Sequence, residues 1–236
     1  MVWSCLVSIL PGMAQTEKLT DYVNPFVGTD GYGNVYPGAQ IPFGGIQISP
    51  DTDSRFYDAA SGYKYNHLTL MGFSLTHLSG TGIPDLGDFL FIPGTGEMKL
   101  EPGTHEDPDQ GYRSRYSHDK EWASPNYYAV ELADYGVKAE MTSGVRSGMF
   151  RFTYPESDNA FIMIDMNHTL WQSCEWSNLR MINDSTITGY KLVKGWGPER
   201  HVYFTATFSK KLTGLRFPIP QLLRSLGKES DGLYLL

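Results

Sequence analysis

Between Ala129 and Phe208 the chain breaks into short runs that alternate apolar and polar residues, a period-2 pattern that helices do not produce. The runs are Ala129 to Leu132, Lys138 to Thr142, Met149 to Tyr154, Ala160 to Asp165, Thr186 to Leu192 and His201 to Phe208, each bounded by Gly, Pro, Asn or Asp. In the last run Val202, Phe204, Ala206 and Phe208 share one face, while His201, Tyr203, Thr205 and Thr207 share the other. One face of such a strand is buried and the other is wet. Asp134-Tyr135-Gly136 and Asn183-Asp184-Ser185 have the composition of hairpin connections. Short strands at this spacing predict an all-β antiparallel β-sandwich. No strand–helix–strand rhythm is visible, which argues against a doubly wound sheet, and no internal repeat is present.

A chain of 236 residues with 41% hydrophobic content can bury a single substantial core. Its formal charge of −7 leaves no basic excess for phosphate backbones, so nucleic acid is not an expected partner. No stretch approaches the roughly 20 apolar residues of a membrane span. The first fifteen residues, MVWSCLVSILPGMAQ, are apolar and end in small residues ahead of Thr16-Glu17-Lys18. They are expected to be the remnant of a signal peptide, with a short buried helix as the alternative, so the protein is expected to be secreted or periplasmic. Cys5 falls in that leader, which leaves Cys174 as one inert, partly buried thiol. Residues 16 to 210 are expected to form the sandwich. Residues 211 to 236, with a short helical stretch at Gln221 to Leu226, are expected to be an irregular linker or frameshifted tail.

From Thr20 to Pro93 the sequence is rich in Gly, Pro, Asn and Asp, which predicts long ordered loops between short strands. The most specific stretch runs from Gly72 to Asp88. Glycines 80, 82 and 87 allow it to turn sharply and present Ser79, Thr81, Asp85 and Asp88 as a polar rim. Asp85 and Asp88 are a possible glycosidase acid/base pair, a role that for inversion requires carboxyl groups roughly 6.5 to 9.5 Å apart. The competing reading, in which they hydrogen-bond backbone N–H groups, is the commoner use of Asp in loops. His77 is a candidate sugar contact or a structural hydrogen-bonding residue. The other five histidines lack metal-ligand spacing, so no zinc site is expected. Gly28 to Gly33 lacks the strand and helix that a phosphate loop needs. Asp51-Thr52-Asp53-Ser54 offers oxygens without the rest of a calcium loop.

An ordered series of blocks resembles glycoside hydrolase family 92. It begins with Asp21-Tyr22-Val23-Asn24-Pro25-Phe26-Val27-Gly28-Thr29 and continues through Pro37 to Thr52, Ser61-Gly62-Tyr63-Lys64-Tyr65 and His77 to Asp88. Tyr116-Ser117-His118, Ala123 to Tyr128, Gly189 to Trp196 and Val202 to Lys210 follow in order. The resemblance implies the N-terminal sandwich of a calcium-dependent exo-α-mannosidase that hydrolyses mannose-rich N-glycans or mannan with inversion. It implies a separate C-terminal (α/α)6-barrel carrying the acid, the base and the calcium ligands, so that no catalytic or metal residue is expected on this chain. The substrate-facing residues it carries over are Phe26, Ala60, Tyr63, His77, Leu78, Ser79 and Asp85. Some members have Trp where this chain has Leu78, a departure that bears on linkage specificity. Two alternatives remain beside this reading: a stand-alone carbohydrate-binding sandwich, and a nonfunctional gene fragment.

Overall fold

The computed structural model describes residues 17–54, 59–213 and 233–235. The predicted leader and the predicted helical stretch at Gln221 to Leu226 lie outside the described residues. Fourteen strands are present among those described: β1 (Ser49–Asp51), β2 (Thr69–Leu70), β3 (Gly72–Ser74), β4 (Leu90–Thr95), β5 (Ser114–Arg115), β6 (Glu121–Ser124), β7 (Tyr127–Leu132), β8 (Val137–Ser143), β9 (Gly148–Thr153), β10 (Ala160–Asp165), β11 (Ser173–Asn183), β12 (Thr186–Lys194), β13 (Arg200–Thr207) and β14 (Leu233–Leu235). Every pairing between them is antiparallel.

The central sheet has the order β1-β3-β4-β10-β14. Side chains on β4 alternate across it. Leu90 and Ile92 pack with Met71, Tyr112, Phe161 and Met163 on one face, whereas Phe91 packs with Phe89, Ile164, Met166 and Ile187 on the other. The second face is covered by two further sheets, β6-β7-β8-β9 and β11-β12-β13. Phe73 and Phe91, opposite each other in register, meet Phe150 and Phe152 of β9 across the gap, at centroid separations from 5.2 to 6.4 Å. Phe204 of β13 closes on Phe89 and Phe91 at 4.6 and 5.8 Å. Burial of rings of this size, each worth roughly 1.5–3 kcal/mol, is what holds the layers together.

The predicted face of β13 is the packed one: Val202, Phe204, Ala206 and Phe208 lie against the core while His201, Tyr203, Thr205 and Thr207 are exposed. Both predicted hairpins form. The β7–β8 turn closes through Gly136, whose positive φ of 63° suits glycine and whose N–H donates to Leu132 O at 2.8 Å. The β11–β12 turn spans Asp184 and Ser185. Within the predicted tail, Leu233–Leu235 pairs with Met163 to Asp165 at the edge of the central sheet.

Candidate functional site

Leu75 to Asp88 is a loop closed at its neck. Leu75 N donates to Asp88 O at 2.9 Å, Gly87 N to Thr76 O at 2.8 Å, and the Thr76 hydroxyl to Asp88 Oδ2 at 2.7 Å. Closing the neck leaves the tip, Leu78 to Ile83, to project from the sandwich. Two further loops meet it. Gly80 N donates to Asn34 O at 2.7 Å, which ties the tip to residues 26–36, and Tyr36 packs on His77 with centroids 5.1 Å apart. Tyr65 N donates to Thr29 O at 2.9 Å, which brings in the segment 59–65.

The structure therefore gathers the residues nominated from the sequence, but at different depths. Leu78 and Phe26 are half-buried and Ser79 is exposed; Phe26 meets the Tyr65 ring edge-on at 5.7 Å. Ala60, Tyr63, His77 and Asp85 are buried. The Tyr63 hydroxyl donates to Glu121 at 2.9 Å, and burial raises it far above the ordinary phenol range, so it remains a donor.

His77, 3% exposed, has acceptors on both sides of its ring: Nδ1 lies 2.7 Å from Gln47 O and Nε2 lies 2.7 Å from Asp51 Oδ1. Nε2 also lies 3.0 Å from the Ser74 hydroxyl, so each ring nitrogen is held in place by a neighbour. The other oxygen of Asp51 accepts from His168 Nε2 at 2.7 Å. Burial alone would push the Asp51 carboxyl up, but the charge and hydrogen bonds of His77 and His168 outweigh it and hold Asp51 well below the usual carboxylate range. This clamp needs Gly62 beside it: its φ is +86°, and a Cβ there would lie 2.1 Å from Asp51 Oδ1.

The network continues through two further segments. His168 O accepts from Lys191 Nζ at 2.5 Å, and Lys191 pairs with Asp88 at 3.0 Å. Arg200 donates to the second Asp88 oxygen. Asp88 is buried, which would raise its carboxyl, yet Lys191 and Arg200 hold it low. Asp85 Oδ2 accepts from Trp196 N at 2.9 Å and its Oδ1 from Leu86 N at 2.6 Å. Gln172 Nε2 donates to Pro84 O at 2.7 Å. Positive φ angles at Leu86 (73°), Phe89 (59°) and Trp171 (77°) concentrate backbone strain in these same segments.

Five segments thus converge on one rim, of which sequence reasoning nominated three. Its substrate-facing nominations left out residues 165–172 and 194–200, with the exposed Trp171 and Trp196, although the block Gly189 to Trp196 belongs to the resemblance. Asp85 accepts from backbone N–H groups, the role weighed above, whereas Asp88 is engaged by the side chains of Lys191, Arg200 and Thr76. Asp53 pairs with His105 at 3.3 Å. Among the described residues no group of three or more His, Cys, Asp or Glu is arranged to hold a metal ion. A groove of about 590 Å³ bordered by Tyr116, Lys120, Glu131 and Tyr154 contains none of the nominated residues.

Comparison with known proteins places this geometry in context. Residues 22–223 match the model of the glycosyl hydrolase family 92 N-terminal domain. A solved family 92 α-mannosidase of Bacteroides thetaiotaomicron is 88% identical, with a TM-score of 0.84 over 94% of this chain and 30% of its own. A second structure of that enzyme holds mannoimidazole. Another solved family 92 hydrolase is 29% identical with a TM-score of 0.65, covering 79% of this chain and 26% of that one. An uncharacterized secreted glycosidase of Arthroderma benhamiae is 30% identical over 139 residues, 58% of this chain and 17% of the relative. The chain thus spans about a third or less of the proteins it matches.

Proposed function

The chain belongs to glycosyl hydrolase family 92, whose N-terminal domain it contains, and from that premise we propose that it shapes one wall of the α-mannoside pocket in an exported, inverting mannosidase. The observation that carries the proposal is the 88% identity to an α-mannosidase over 94% of this chain but only 30% of that enzyme. The remaining length of such an enzyme is where we place the barrel, the catalytic acid and the base. The likeness to a secreted fungal glycosidase supports export.

In this reading the seven nominated residues divide by depth. Leu78, Ser79 and Phe26 offer surface to a sugar. Ala60, Tyr63, His77 and Asp85 set the loops that carry them, His77 and Asp85 through the buried network. The calcium of the family does not fit the described residues: the Asp51 carboxylate lies against two imidazoles, and that of Asp88 is paired with Lys191 and Arg200 and accepts from Thr76. No three carboxylate or imidazole groups among the described residues are arranged to hold an ion. We place it in the remainder of the enzyme and route no step through it.

Half a pocket retains little affinity, because a sugar leaves most of its surface in water. Isothermal calorimetry of the 236-residue chain with mannose and mannobiose is expected to show dissociation constants weaker than about 1 mM. Binding tighter than that would support a stand-alone carbohydrate-binding sandwich instead.

A further inference from the structure

The outward face of the β11-β12-β13 sheet carries side chains that the rim does not use. Trp176, Tyr190 and Tyr203 stand on three adjacent strands. Tyr190 is directly opposite Tyr203 in register, and Trp176 lies diagonal to Tyr190. Their ring centroids are 5.2 Å (Trp176–Tyr190) and 4.6 Å (Tyr190–Tyr203) apart, and the His201 ring lies 5.9 Å from Tyr190 at 27°. Cross-strand aromatic pairs stabilise a sheet. That accounts for the pairing but not for a face left to solvent: Trp176 is 54% and Tyr203 70% exposed. A contiguous exposed aromatic patch marks a binding surface.

Two observations choose the ligand. The charges bordering the patch are mixed in sign: Glu199 pairs with His201 at 2.8 Å and Glu175 with Lys194 at 3.0 Å, and Arg180 stands exposed on the same face, so no patch of one sign is present to select a charged partner. The patch is also continuous with the rim. The β12–β13 connection, Gly195 to Glu199, holds Trp196 against Asp85, and it starts three residues beyond Leu192, the register partner of both Trp176 and His201, and ends two residues before His201.

We infer that this face is a second glycan-binding site, on which pyranose rings of a neutral mannose-containing glycan stack their C–H faces while Asn178 and the paired side chains at the margin meet the hydroxyls. The choice of mannose rests on the function proposed above; the platform itself does not.

The test is affinity electrophoresis of the 236-residue chain in native gels containing yeast mannan or, as control, dextran. A polymer engages several rings at once, so weak stacking becomes measurable. The chain is expected to be retarded by mannan and not by dextran. Trp176→Ala and Tyr203→Ala are each expected to weaken retardation about fivefold, the loss expected for one stacked ring. Both positions are exposed, so circular dichroism should show the fold intact. Glu156→Ala, at an exposed position outside both the rim and this face, should leave retardation unchanged. The platform is overturned by absence of retardation, by retardation that survives both substitutions, or by a concentration-dependent self-association that the same substitutions abolish. Retardation lost in the platform variants but not in Glu156→Ala upholds the platform even if the rim proves to bind no sugar in the complete enzyme, so the two readings fail separately.

Discussion

Replacing Asp51 with alanine is expected to lower the unfolding free energy by about 3–5 kcal/mol, measured by urea denaturation followed by circular dichroism. The carboxylate is fully buried and both of its oxygens accept from imidazole Nε2 atoms at 2.7 Å. Its removal strands two buried donors, His77 and His168, in a site water does not reach, and desolvated unpaired groups cost more than the bonds they lost. The loop from Leu75 to Asp88 then loses its anchor to β1, so the damage reaches the rim. Asp51→Asn keeps the shape but turns one acceptor into a donor that faces an N–H, and an intermediate loss of about 2–3 kcal/mol is expected. A loss below about 1 kcal/mol for the alanine variant would show the clamp to be incidental. The same carboxyl gives the protein an acid limit. Its folded pKa is depressed, so its contribution is complete above the unfolded carboxylate value near 3.9 and is lost as pH falls toward the lower folded one. Stability should therefore fall on acidification below about pH 4, less steeply in Asp51→Ala than in the parent.

Lys191→Met is expected to cost about 3 kcal/mol despite its similar volume. Lys191 is fully buried, pairs with Asp88, donates to His168 O and lies 5.1 Å from the Phe89 ring centroid. Burial drags its ammonium down from the ordinary lysine range and Asp88 pulls it back up, with the net shift downward. Methionine leaves Asp88 with Arg200 and Thr76 as partners and leaves the His168 carbonyl without its lysine. Because the charges depend on each other, Lys191→Met combined with Asp88→Asn should cost less than the sum of the single changes, by more than about 1 kcal/mol in a double-mutant cycle. Additivity would mean that the two side chains do not act as a unit.

These two sites also mark where sequence reading stops. Strands β7 to β10, β12 and β13 were legible because each alternates and ends at a turn residue. Strand β11 was not, although it is the longest: in SCEWSNLRMIN only Leu179 is fully buried, and Trp176 and Ile182 point outward, so no apolar stripe forms. Strands β1 to β3 are two or three residues long and hide among loop residues. For the site, the blocks from Phe26 to Asp85 were found, but not what supports them. Asp51 and His168 are 117 positions apart, and Lys191 and Asp88 lie on different strands and loops; only folding makes them neighbours. A buried Lys on an otherwise alternating strand is the one local signal, since Lys191 falls on the inward parity with Ile187, Gly189 and Val193.

The most direct test of this division of labour is to incubate the purified 236-residue chain with an aryl α-mannoside and with α-mannobiose and follow sugar release. No turnover above the uncatalysed background is expected, because in the proposed reading the loops gathered here only position a sugar, while the buried carboxylates of the network are committed to holding those loops. Hydrolysis at a rate comparable to a full-length family 92 mannosidase would contradict that account and would place the bond-breaking groups on this polypeptide.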